Sequence, residues 1–84
     1  MAIWAEWWSW ELELSPHLLK RMVDRQFSDV DLRLMLEKAD TLRPNYEEGR
    51  WVVETKSNRR PWEVIVEPLP AEGILLVVTA YPVD

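Results

Sequence analysis

Hydrophobic and polar residues alternate from Trp7 to Leu14. Trp8, Trp10, Leu12 and Leu14 hold one parity, and Trp7, Ser9, Glu11 and Glu13 the other. A period of two is that of a half-buried strand. Ser15-Pro16 then supplies an N-cap and a proline suited to a first helical turn, so a helix is expected next. At about 100° per residue, Leu18, Leu19, Met22 and Val23 gather on one side of it, with His17, Lys20 and Arg21 opposite and Arg25 at the margin. Phe27-Ser28-Asp29-Val30-Asp31 marks a break and a second start, in which Ser28 caps and Asp31 stands at the capping-box position. The helix that follows, to about Ala39, carries a main apolar stripe of Leu32, Met35, Leu36 and Ala39. Val30 and Leu34 fall on another side and call for a partner beyond the sheet.

Thr41 to Gly49 is expected to be a linker with a turn at Arg43-Pro44-Asn45. Arg50 to Lys56 alternates weakly, Ser57 to Pro61 forms a basic turn, and Trp62 to Glu67 returns as a strand with Trp62, Val64 and Val66 on one parity. Pro68 is expected to end that ladder. The last segment, Ile74 to Tyr81, is ILLVVTAY, with no charge in its eight residues. A strand of this composition, without charge, proline or bulge signal, belongs inside a sheet. The expected fold is α+β in the order β-α-α-β-β-β, with a helical hairpin on one face of a four-stranded, mostly antiparallel sheet. The first strand joins the free side of the last, which puts ILLVVTAY in the interior.

Length and charge narrow the function classes. Eighty-four residues make one domain, 1–84, with residues 1–7 a possible tryptophan-rich extension. No apolar run approaches the roughly 20 residues of a membrane helix, and no membrane partner is expected. MAIWAEWW lacks a basic lead and contains Glu6, so it does not resemble a secretory signal, and the expected compartment is the cytoplasm. With no cysteine and one histidine, neither a thiolate nor a histidine-rich metal site can form, and no metal or other cofactor is expected. Two glycines are too few for a phosphate loop. A net charge of −5 disfavours nonspecific attachment to nucleic acid.

Ser15-Pro16-His17, then Arg21-Met22 and Arg25, Phe27-Ser28, and the ending Val78-Thr79-Ala80-Tyr81 together resemble a small uncharacterised bacterial domain family. That family is similar to the RelE and BrnT type toxins of toxin-antitoxin modules. The resemblance covers about residues 9–84 in element order. It implies a RelE-like fold and metal-independent cleavage of RNA, with His17, Arg21, Arg25 and Tyr81 as the positions carried over, and an antitoxin as partner. The chain departs from those toxins in being acidic and in ending at Asp84 without a C-terminal helix.

Metal-free RNA cleavage needs a base, an acid and cations for the phosphate. His17 titrates in the right range, with Tyr81 as a phenol at the sheet's mouth. Arg21 and Arg25 follow His17 at steps of about 6 Å along a helix, and Lys56, Arg59 and Arg60 would extend an RNA track. The plainer alternative is a solvated helix face and a solvated turn, with Tyr81 and Thr79 packing on the same parity as Leu75 and Val77. Glu11 with Glu13, and Glu63 with Glu67, take solvent positions and are assigned no chemistry. Six tryptophans, four of them within Trp4 to Trp10, exceed what so small a core needs. Trp4, Trp7, Val30 and Leu34 are therefore candidates for a protein interface. Two functions follow: a toxin-like ribonuclease, or a non-catalytic interaction module of the same fold, with a homodimer through its tryptophan-rich start as one form of it.

Overall fold

The computed structural model describes residues 6–83. Two helices pack on one face of a five-stranded, mostly antiparallel sheet, an α+β layer. The strands are β1 (Glu11–Leu14), β2 (Thr41–Pro44), β3 (Trp51–Ser57), β4 (Arg60–Leu69) and β5 (Ile74–Pro82), in spatial order β1-β5-β4-β3-β2. Of these strands only β1 and β5 pair in parallel. The uncharged β5 has β1 on one side and β4 on the other, as its composition requires. Among the described residues no helix is long and apolar enough to cross a membrane.

Helix α1 (Pro16–Arg25) lies over β5, and α2 (Asp29–Glu37) over β3. Both begin at the expected caps. The Leu18 N–H donates to Ser15 Oγ at 3.0 Å. Ser28 and Asp31 form a reciprocal capping box, with the Ser28 N–H donating to the Asp31 carboxylate at 2.9 Å. Gln26 closes α1 in the left-handed region at φ 56°. The core between the layers holds Leu18, Leu32, Met35, Val53, Val64, Val66, Leu75 and Val77, all at or below 1% exposure. Phe27, in the turn between the helices, meets the buried Trp62 edge-on at 5.2 Å. Thr55, the one buried polar residue among those described, donates its hydroxyl to the Met35 carbonyl and ties α2 to the sheet.

Four expectations need correction. The sheet has five strands because Thr41–Pro44 pairs with β3, Leu42 opposite Val53 and Arg43 opposite Val52. So short an edge strand, containing Pro44, carries too little alternation to declare itself. The first strand begins at Glu11, whereas Glu6–Ser9 is a 3₁₀ turn, and the Trp10 N–H donates to the Trp7 carbonyl at 3.1 Å. Pro68 does not end β4, which continues to Leu69. β3 begins opposite Val66, so the proline's missing N–H lies beyond the reach of β3's ladder.

The fourth correction bears on the site. The β4–β5 register shifts, with Val66 opposite Val77 but Ile65 opposite Thr79, so Val78 is a bulge. Parity reverses there: Leu75, Val77 and Ala80 are buried beneath the helices, while Thr79 and Tyr81 point to the other face. The carbonyl of Val78 accepts from Ser15 Oγ at 2.6 Å, and that of Val77 from the Ser15 N–H at 3.1 Å. Ser15 thus caps α1 and clamps it to the bulge.

Ser15→Ala removes the cap and leaves a part-buried carbonyl without its donor. It should cost about 1–2 kcal/mol, read as a lower urea midpoint at unchanged slope.

Candidate functional site

Among the described residues no helix or strand covers the face of the sheet away from the helices, and two rows of its side chains line a cleft. Register aligns Thr41, Glu54, Glu63 and Tyr81 in one, and Arg43, Val52, Ile65 and Thr79 in the other. Val52 and Ile65 make an apolar floor, at 3% and 7% exposure. Over it lies an open cleft of about 400 Å³, walled by Arg43, Tyr46, Arg50, Glu63, Val78 and Tyr81.

Hydrogen bonds knit the rows together. Tyr81 donates its hydroxyl to Glu63 Oε1 at 2.6 Å, and Arg43 Nη2 donates to the other oxygen of the same carboxylate at 3.1 Å. Arg43 Nε also lies 3.5 Å from Glu54, which accepts from the Thr41 hydroxyl. Arg50 reaches Glu67 at 3.0 Å and Glu47 at 2.7 Å. Two guanidinium groups therefore meet four carboxylates, leaving the cluster two charges negative.

The titration behaviour follows from these contacts. The Tyr81 hydroxyl is pushed up to about 12, first because it donates to Glu63, then through burial and the charge of that carboxylate. The Glu54 carboxyl is held below the usual range, chiefly by the Thr41 hydroxyl and also by Arg43. Arg50 is raised, principally by its bond to Glu67. A phenol held protonated in this way is a hydrogen-bond donor at neutral pH and a poor base.

The residues carried over by the resemblance are divided between the two sides of the sheet. His17 and Arg25 are exposed and Arg21 half-buried on α1, on the helical side, whereas Tyr81 lies on the open side. His17, Arg21 and Tyr81 therefore share no concave surface. Lys56 lies on the open face one row beyond Glu54, next to the β3–β4 turn, which carries Arg59 and leads into Arg60, the first residue of β4. All three are exposed, and Asn58 and Arg59 make the turn in the left-handed region, at φ 53° and 66°.

Trp7 has an intramolecular place: it is half-buried, its ring centroid 5.9 Å from Trp51 and 6.0 Å from Trp8. Trp4 lies outside the described residues. Val30 and Leu34 are 60% and 45% exposed.

Compared with known proteins, the chain has no significant match to a family model, a curated protein or a solved structure. The likeness to RelE and BrnT type toxins thus rests on the short motifs quoted above.

Sequence reasoning passed over Arg43, Arg50, Glu54 and Tyr46. The available signal was the solvent parity of Glu54, Glu63 and Glu67, which called for cations across the strands. The missed β2 hid Arg43 from that search.

A spectroscopic pH titration should find Tyr81 ionising well above 10, the ordinary phenol value, and Glu63→Gln should bring it down. Because the folded pKa is the raised one, this bond's stabilisation is complete below the unfolded value near 10 and fades as pH rises towards 12. Unfolding midpoints should fall across that window in the wild type, and less in Glu63→Gln.

Proposed function

We propose that this domain is a non-catalytic protein-interaction module. The observation that carries the reading is the apolar surface of the helical hairpin. Leu19 and Val23 on α1 are 49% and 78% exposed, and Val30 and Leu34 on α2 are 60% and 45% exposed. Each pair is spaced i, i+4, so each helix offers an aliphatic ridge to solvent on top of the stripe it already buries. Ridges of this kind suit docking against another apolar surface.

The charge distribution supports the same reading. A phosphate backbone seeks cations with nothing else to hold, yet Arg43 and Arg50 on the open face are each bound by two carboxylates. The toxin-like ribonuclease is the competing proposal. On this geometry it would have to work from the open face, with Tyr81 and Lys56 and without His17 or Arg21.

Purified protein in metal-free buffer should leave single-stranded RNA intact, and its expression should not arrest bacterial growth. RNA cleavage that disappears in a folded Tyr81→Phe variant would replace the module with the nuclease.

A further inference from the structure

We infer that the outer edge of β1 binds an extended segment of a different protein, one that alternates aliphatic residues with lysine or arginine. The inference rests on the interaction-module reading and names a partner class for it. Among the described residues β1 pairs only with β5 and has no strand on its outer side. An edge of this kind is a template for strand addition. The opposite edge, β2, is guarded by Pro44 and by Arg43 and Thr41, which are engaged with glutamates. β1 contains no proline and no basic residue.

The side chains of β1 specify what fits. Leu12 and Leu14 point towards the core and remain half-buried, while Glu11 and Glu13 stand exposed on the open face. An added strand would cover the two leucines with its own apolar residues and set its alternate residues beside the two carboxylates. On the core side of the edge lies an apolar cleft of about 250 Å³, lined by Trp8, Trp10, Leu12 and Leu36 with Arg33 and Glu37 at its rim. It offers a socket for an aliphatic side chain of the incoming strand.

Charge chooses between a second copy and a foreign segment. Antiparallel pairing of two β1 strands in one continuous sheet must match like faces, so each register that pairs more than one residue of β1 sets Glu11 against Glu13 twice or Glu13 against Glu13. Like charges directly opposite oppose pairing. Lysine or arginine at those positions reverses the sign, and the net charge of −5 adds long-range attraction for a basic partner.

The test uses the full chain and three blocked peptides: one alternating valine with lysine, a scramble of the same composition, and one alternating valine with glutamate. Binding is followed by tryptophan fluorescence, and the site by amide exchange. The alternating lysine peptide should bind best, weaken with salt and protect amides of Glu11–Leu14. The double variant Glu11→Gln, Glu13→Gln should lose roughly five- to tenfold in affinity, the size expected of two exposed cross-strand pairs. Glu11→Lys with Glu13→Lys should transfer the preference to the glutamate peptide, with folding of each variant verified by circular dichroism. No binding, binding equal to that of the scramble, or no transfer of preference overturns the edge site. If RNA also stays intact, the module reading survives that loss, whereas RNA cleavage dependent on Tyr81 removes the module itself.

Discussion

Ser15 holds the two layers in register. Its hydroxyl accepts from Leu18 at the start of α1 and donates to the Val78 carbonyl, while its N–H continues the β1–β5 ladder to Val77. One residue therefore ends a strand, begins a helix and meets the point where β5 bulges. Without the bulge, Tyr81 would share a face with Leu75 and Val77 and point under the helices. With it, Ala80 takes the buried place and Tyr81 turns out to Glu63. The polar row of the open face depends on a one-residue shift in a strand that carries no charge.

The open face is balanced against itself. A row of carboxylates along a sheet would repel, and a row of arginines would attract any polyanion. Here the two kinds are interleaved so that Glu63 receives both Arg43 and Tyr81, and Arg50 spans Glu47 and Glu67. Partly exposed pairs of this sort add little stability individually. Their larger effect is on recognition, because the carboxylates beside each arginine offset its charge and weaken its pull on a phosphate. The floor beneath, Val52 and Ile65, is nearly as buried as the core although no described helix covers it.

How much of this was legible in the sequence follows from how local each determinant is. Caps are local, so Ser15-Pro16 and Ser28 with Asp31 placed both helix starts correctly. The interior position of β5 followed from its lack of charge. Its register did not, since in ILLVVTAY either parity presents apolar residues and a one-residue slip costs the pattern nothing. What breaks the tie is a serine hydroxyl more than sixty positions away in the chain. β2 was hidden for the same reason: Thr41 and Arg43 become strand residues only opposite Glu54 and Val52. Trp7 looked surplus because its partner, Trp51, lies on a distant strand.

The same distinction between satisfied and unsatisfied groups points to where a partner can act. Thr55, Tyr81, Arg43 and Arg50 all have partners within the domain, and no described buried side-chain polar atom lacks one. A second protein gains little by competing with such pairs, since each bond made would replace one broken. Gains come where apolar surface is still wet or backbone groups face outward. The ridges of α1 and α2 meet the first condition and the outer edge of β1 the second, with Leu12 and Leu14 half-covered beside it. The ridges lack a sign that would select among apolar partners. The edge has one, because Glu11 and Glu13 stand at fixed alternate positions along it, and specificity in this domain is therefore expected to reside at the strand edge.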